Sequence, residues 1–157
     1  MSGAQSRDTP CDGSAFSFAI NGDLEGVVSL SAWIRGAATQ LGFAPSLIFS
    51  LQLCAEELVT NAIQHGRPDA RDDFAIRVRI CPAPPRLIVE DNGTPFDPTQ
   101  VIAPPRPTNL EQAAPGGHGL TLVRHFCDVL AYSREDNWNR TELTFAVNEP
   151  IALTRPD

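Results

Sequence analysis

The chain contains one strongly amphipathic segment, Leu51-Gln-Leu-Cys-Ala-Glu-Glu-Leu-Val-Thr-Asn-Ala-Ile-Gln-His-Gly66. At about 100° per residue, its apolar residues fall on one side of a helix; they are Ile48, Leu51, Ala55, Leu58, Val59, Ala62 and Ile63. The other side carries Cys54, Glu57 and Asn61, and the last two lie one helical turn apart. The pattern predicts a helix that begins near Pro45 and ends at Gly66, before Pro68.

The pair formed by Glu57 and Asn61 has two interpretations on this pattern alone. A carboxylate and a carboxamide one turn apart can hold a metal ion or a polarised hydroxyl group. They can equally belong to a solvated polar surface, which is the commoner use of an isolated pair. The choice depends on the motifs found elsewhere in the chain.

Apolar patterns on both sides of this helix predict the remaining elements. Ala15–Ile20 alternates as a strand does, and Leu24–Leu41 has the apolar side of a helix after a capping residue, Asp23. Further strands are predicted over 74–80 and 86–90 as a hairpin, a helix over 120–130, and strands over 130–133 and 141–147 with a turn at 135–140. This mixture favours an α+β fold, a two-layer sandwich of one mixed, mostly antiparallel sheet covered on one face by helices.

Composition narrows the class of protein. The chain has 157 residues, 42% of them hydrophobic and 20% charged, which suits one globular domain. We expect a flexible N-terminus over 1–13, the domain over 14–148 and a tail over 149–157. The net charge of -7 disfavours nucleic acid as a direct partner, because phosphate binding needs a basic surface. The chain shows no apolar run of about 20 residues and no signal pattern near Met1, so we expect a cytoplasmic protein with no membrane partner.

The four cysteines, Cys11, Cys54, Cys81 and Cys127, are widely scattered along the chain. Their spacing is unlike that of a zinc site, and at this chain length we predict no disulfide scaffold. Cys54 has two interpretations, as a reactive thiol beside the polar side of the helix or as a small buried residue, and the second is the commoner.

Two further motifs follow the amphipathic helix. Asp91-Asn-Gly-Thr-Pro-Phe directly follows a predicted buried strand, where a carboxylate is held rigidly and Gly93 allows a flat ring to approach the backbone. The same residues also suit an ordinary turn. Gly116-Gly-His-Gly119 opens the helix predicted from Leu120, where exposed N–H groups and the helix dipole favour phosphate, although a simple hinge would have the same composition.

The three motifs, in this order along the chain, resemble the ATP-binding domain of the GHKL superfamily, which includes gyrase, histidine kinases and MutL. Within it, Glu56-Glu-Leu-Val-Thr-Asn-Ala-Ile-Gln-His-Gly66 is similar to the corresponding segment of the bacterial anti-sigma-factor serine/threonine kinases. Asp91-Asn-Gly-Thr-Pro-Phe-Asp-Pro98 and Gly117-His-Gly-Leu-Thr-Leu-Val-Arg124 support the same group. The resemblance covers about residues 15 to 147.

The resemblance implies a role for each motif. It implies ATP and Mg²⁺ as cofactors, with Asn61 as the Mg²⁺ ligand and Glu57 as the catalytic base. At the adenine, it implies that Asp91 accepts a hydrogen bond from the amino group and that Gly93 and Thr141 lie beside the ring. Residues 99–116 would form a lid, and the backbone N–H groups of Gly117 and Gly119 would bind the phosphates.

The resemblance also implies partners. The expected protein phosphorylates a serine or threonine of an anti-anti-sigma (STAS-type) antagonist and otherwise holds a sigma factor inactive, and the resemblance is compatible with a homodimer. Three alternatives stay open: a nucleotide-dependent interaction module without kinase activity, a stand-alone histidine-kinase-like catalytic domain, and a scaffold that binds no nucleotide and keeps the three motifs for structural reasons.

Overall fold

The structure is a computed structural model that describes Cys11 and residues 14–66, 73–102 and 119–147. Residues 103–116 of the predicted 99–116 lid lie outside these residues, as do Gly117, residues 1–10 and the tail at 149–157. Three helices and five strands follow one another as β1 (Phe16–Ile20), α1 (Leu24–Gln40), α2 (Pro45–Gly66), β2 (Ile76–Pro82), β3 (Pro85–Asp91), α3 (Gly119–Phe126), β4 (Val129–Glu135) and β5 (Trp138–Thr144). In this part of the chain, no helix combines the length and apolarity that crossing a membrane requires.

The five strands form one antiparallel sheet in the order β1-β2-β3-β5-β4. Since β3 pairs with both β2 and β5, Asp91 at its end lies beside Ile76 on one side and Asn139 on the other. The helices cover one face, as predicted. The α+β two-layer sandwich inferred from the sequence is therefore confirmed.

The α2 helix lies at the centre of the helical layer and contacts α1, α3, β2 and β3. Its predicted apolar residues are all buried or partly buried. Cys54, which the pattern placed on the polar side, is also fully buried, because α3 packs against α2 there. The start of α1 is capped as predicted, with the Asp23 carboxylate accepting a hydrogen bond from the Gly26 N–H at 2.8 Å.

The face of the sheet opposite the helices carries a network of ion pairs. Glu90 accepts from Arg79 and Arg140 at 3.1 and 3.2 Å, and Glu142 pairs with Arg86 and Arg140 at 2.9 and 3.0 Å. These side chains lie above Ile88, which is fully buried although it points away from the helical layer. Charged side chains with long apolar stems thus cover this face.

One disulfide bond corrects the prediction made from the cysteine spacing. Cys11 and Cys81 are joined, with their Cα atoms 5.5 Å apart and a sequence separation of 70. The bond links the chain before β1 to the end of β2. A separation of this length gives no local signal, which is why spacing alone did not predict the pair.

Two boundaries near the C-terminus also differ from the predictions. The α3 helix ends at Phe126 rather than Leu130, because the chain turns into β4 and the Asp128 N–H donates to the Thr144 carbonyl at 2.9 Å. The turn predicted over 135–140 is only two residues long, Asp136 and Asn137, with φ angles of 49° and 65°. Positive φ at both positions is typical of a type I′ hairpin turn, so β4 and β5 extend further toward the turn than predicted. At its other end, β5 stops at Thr144 rather than Val147.

Candidate functional site

A cleft lies between the C-terminal half of α2 and the ends of β3 and β5. It has about 390 Å³ of atom-free space, part of which is open to solvent. Its walls combine apolar side chains with a few polar ones: Leu58, Asn61, Ala62, Gly66, Val89, Asp91, Thr94, Phe96, Pro98, Asn139 and Thr141. Three residues singled out from the sequence, Asn61, Asp91 and Thr141, therefore line one cleft.

Asp91 lies at the bottom of this cleft and is 8% exposed. Its Oδ1 atom accepts hydrogen bonds from the Gly93 N–H and from Asn139 Nδ2, both at 2.9 Å. Burial raises the pKa of the Asp91 carboxyl above its ordinary value, whereas the hydrogen bonds from Asn139 and Gly93 and the charge of Arg134 act in the opposite direction. Among the described residues, both donors use Oδ1, which leaves Oδ2 as the oxygen able to accept from a ligand.

Gly66 and Gly93 bring the end of α2 against the loop after β3. A Cβ atom on Gly93 would overlap the Gly66 carbonyl group and would lie 2.9 Å from Asp91 Oδ1. The same carbonyl accepts a hydrogen bond from the Thr94 N–H at 2.8 Å. Because the Gly66 carbonyl is a backbone group that cannot rotate out of the way, this close approach requires glycine at position 93.

Nine residues before its C-terminal Gly66, α2 brings Glu57 against the start of α3. Glu57 is half-buried, and a Cβ atom on Gly119 would overlap its carboxylate. Asn61 lies one turn along α2 and lines the cleft. The structure thus places Glu57 beside the first residue of α3, while Gly117 lies outside the described residues.

Asn61 offers the cleft a neutral carboxamide oxygen, which is a suitable ligand for Mg²⁺. In the described part of the chain, no three His, Cys, Asp or Glu side chains cluster so that they could hold a metal ion by themselves. A carboxamide oxygen with waters and phosphate oxygens is a set that Mg²⁺ accepts, since this ion usually keeps several waters and few protein ligands. Asn61 therefore fits Mg²⁺ that arrives with a nucleotide.

Three residues of the quoted segments, Cys54, His65 and Arg124, are buried or held by contacts within the fold. Burial, followed by the nearby Cys127 and Glu57, raises the pKa of the Cys54 thiol to about 12, which agrees with a buried core residue. The His65 ring stacks on Phe96 with 6.2 Å between ring centroids. Arg124 donates to the carbonyls of Pro98 and Thr99 at 2.9 and 3.3 Å, and so links α3 to the start of the predicted lid.

Sequence reasoning missed Asn139 and the two residues behind it. Asn139 Oδ1 accepts from the Tyr132 hydroxyl at 2.7 Å and from Arg134 at 2.8 Å, and its Nδ2 also donates to the Thr94 carbonyl at 2.9 Å. The predicted turn at 135–140 had removed Asn139 from the strand. The Asp136-Asn137 pair was the available signal, because Asp and Asn are the residues that tolerate positive φ in two-residue hairpin turns.

Comparison with known proteins identifies the family of the chain. The sequence model of the histidine kinase-like ATPase domain matches residues 20–145. BtrW, a serine/threonine-protein kinase of Bordetella bronchiseptica, is 39% identical over 116 residues, which are 71% of this chain and 80% of that protein.

A solved structure of the RsbU and RsbW domains of a Mycobacterium tuberculosis protein gives a TM-score of 0.58 over 87% of this chain. This chain spans 33% of that one, and at 14% identity the likeness shows the fold alone. Together with the order of the three motifs, the family match and the identity to BtrW show that the chain belongs to the histidine kinase-like ATPase family, in its anti-sigma-factor serine/threonine kinase group.

Proposed function

We propose that the protein is an ATP- and Mg²⁺-dependent kinase that phosphorylates a serine or threonine of an anti-anti-sigma antagonist and otherwise sequesters a sigma factor. The observation that carries this proposal is the convergence of Asn61, Asp91 and Thr141 on one cleft, with Glu57 one turn from Asn61. The printed name of BtrW, a serine/threonine-protein kinase, supports the reaction class.

The adenine ring would bind at the Asp91 end of the cleft. Leu58, Ala62 and Val89 supply apolar walls there, and Thr141 adds a hydroxyl group. The ionised Asp91 carboxylate is an acceptor only, and therefore matches the amino group of adenine. A mostly apolar pocket with a few fixed polar groups is the usual form of a small-molecule site.

The phosphates would extend toward Glu57 and Gly119. Asn61 would hold Mg²⁺, which spreads the negative charge of the phosphates when bound. The N–H groups at the start of α3, which include Gly119, would bind phosphate oxygens, because a helix N-terminus favours anions. Gly119 also leaves room for the Glu57 carboxylate, which a larger residue would displace.

In the proposed reaction, the hydroxyl oxygen of the antagonist attacks the γ-phosphorus and the bond from that phosphorus to the β–γ bridging oxygen breaks. ADP is the leaving group, and Glu57 accepts the hydroxyl proton directly or through one water. Holding the nucleotide and the base on one helix supplies the positioning on which phosphoryl transfer chiefly depends.

The test begins with calorimetric titration of Mg²⁺·ADP into the wild type and the Asp91→Asn and Asn61→Ala variants. We expect Asp91→Asn to weaken binding with or without the metal, and Asn61→Ala to weaken it chiefly when Mg²⁺ is present. Binding unchanged by both variants would place the nucleotide elsewhere and contradict the proposal.

The transfer step is tested with γ-labelled ATP and a STAS-type protein from the same genome. Glu57→Gln should retain ADP binding and lose label transfer by about 10²-fold or more. A labelled product that is stable to acid and labile to alkali supports serine or threonine, whereas the reverse supports the histidine-kinase-like alternative. ADP binding without transfer to any STAS-type protein of that genome would support the interaction module instead.

A further inference from the structure

The Asn139 side chain makes four hydrogen bonds, and their chemistry fixes its orientation. Its Oδ1 faces Arg134, which can only donate, and its Nδ2 faces Asp91 Oδ1 and the Thr94 carbonyl, which can only accept. The Tyr132 hydroxyl completes the set. At 3% exposure, Asn139 is fixed in one orientation, because turning the amide over would oppose donor to donor and acceptor to acceptor.

This fixed amide acts on the carboxylate proposed to recognise adenine. Asn139 Nδ2 and the Gly93 N–H both donate to Asp91 Oδ1, the first from β5 and the second from the loop after β3. A carboxylate held at one oxygen by two donors cannot turn freely about its Cβ–Cγ bond. Its second oxygen, Oδ2, then has one direction in which to accept a hydrogen bond.

We propose that Asn139 is a positioning residue for nucleotide recognition, one that fixes Asp91 so that the site prefers a base carrying an exocyclic amine over one carrying a carbonyl group. The inference rests on the proposed function and assigns base selectivity to a residue outside the three motifs. Asn139 itself acts through Asp91.

Arg134 extends the same network to the backbone of the motif. Its guanidinium donates to Asn139 Oδ1 at 2.8 Å and to the Gly93 carbonyl at 3.1 Å. Gly93 therefore donates to Asp91 through its N–H and accepts from Arg134 through its carbonyl. Asp91, Gly93 and Asn139 form one connected polar unit, in which a change at β4 or β5 reaches the carboxylate.

The experiment compares the binding of ADP with that of inosine diphosphate, which has a carbonyl group where adenine has its amine. In the wild type, the Asp91 carboxylate repels that carbonyl oxygen, and ADP binds more tightly. In Asn139→Ala, Asp91 can rotate. The dissociation constant of inosine diphosphate divided by that of ADP then falls by about tenfold, as expected for the loss of one hydrogen bond to a charged group. Tyr132→Phe removes one donor to Asn139 Oδ1 and lowers the ratio by about threefold.

Gln52→Ala is the matched control. Gln52 is also a partly buried amide with two hydrogen bonds, because its Nε2 donates to the carbonyl and the hydroxyl of Ser31, each at 3.0 Å, and these contacts join α2 to α1 without involving Asp91. We expect this variant to lose thermal stability while keeping the wild-type ratio. A fall in the ratio equal to that of Asn139→Ala would show a merely structural effect and overturn the inference.

The remaining outcomes separate the inference from the proposed function. If the wild type binds neither nucleotide, the proposed function fails and the inference with it. If the wild type binds ADP but Asn139→Ala keeps its preference for ADP, only the role of Asn139 is refuted. Should Asn139→Ala not fold, the Tyr132→Phe ratio decides, and an unchanged value there refutes the role.

Discussion

Among the glycines that the structure describes, Gly93 is the one where an added methyl group meets backbone atoms most closely. In Gly93→Ala, the new Cβ overlaps the Gly66 carbonyl group and contacts Asp91 Oδ1, so the loop after β3 must move away from the end of α2. Overpacking of this kind costs about 1–3 kcal/mol, and loss of the hydrogen bond from the Thr94 N–H to the Gly66 carbonyl adds about 1 kcal/mol. For a chain of 157 residues, a loss of about 3 kcal/mol lowers the Tm by roughly 9 °C.

The assay is thermal unfolding followed by circular dichroism, with calorimetric titration of ADP on the same samples. Gly36→Ala is the control, because its Cβ would meet nothing within 4 Å on α1, and alanine is favoured over glycine in a helix by about 1 kcal/mol. The same chemical change should therefore raise the Tm by about 3 °C at position 36 and lower it at position 93. A Gly93→Ala protein with wild-type Tm and ADP affinity would refute the reasoning about this contact.

Three further predictions concern the base, the disulfide and pH. Gly119→Ala should displace the Glu57 carboxylate and lower label transfer at least tenfold while ADP affinity, measured by calorimetry, changes little; unchanged transfer would show that Glu57 is not confined there. Reducing the Cys11–Cys81 bond should lower the free energy of unfolding by about 4 kcal/mol, because it closes a loop of 70 residues, and a urea titration in which reductant affects the wild type no more than Cys11→Ser would contradict this. ADP affinity should fall on acidification at a pH above the usual carboxylate range, because burial raises the pKa of Asp91 and the neutral form of Asp91 carries a proton. If the affinity for ADP did not change between neutral pH and about pH 4, this prediction would be wrong.

The helical layer could be predicted because its signals are local. The 3.6-residue period places the apolar side of α2, and the Asp91 motif directly follows a strand whose pattern is clear in the sequence. Cys54 was misplaced because α3 covers part of the side that the period marked as polar, and that packing is a tertiary property.

The network behind Asp91 could not be predicted in the same way. Asn139, Tyr132 and Arg134 meet only because a two-residue turn sets the register of β4 against β5, and a longer turn would place Asn139 outside the strands. Since side chains alternate along a strand, a shift of one residue would point Asn139 to the opposite face of the sheet. The disulfide bond was hidden for a related reason, because its two cysteines come together only through the pairing of β1 with β2.

In the proposed function, the α2 helix would set the length of nucleotide that the site accepts, because it carries Glu57, Asn61 and Gly66 within its 22 residues. Nine positions separate Glu57 from Gly66, which at 1.5 Å per residue is about 13 Å along the helix axis. A nucleoside monophosphate bound at Asp91 would end short of the Glu57 carboxylate, whereas an extended triphosphate would reach it. Inserting one residue between Asn61 and Gly66 would lengthen the distance from Glu57 to Gly66 and would turn Glu57 by about 100° about the helix axis.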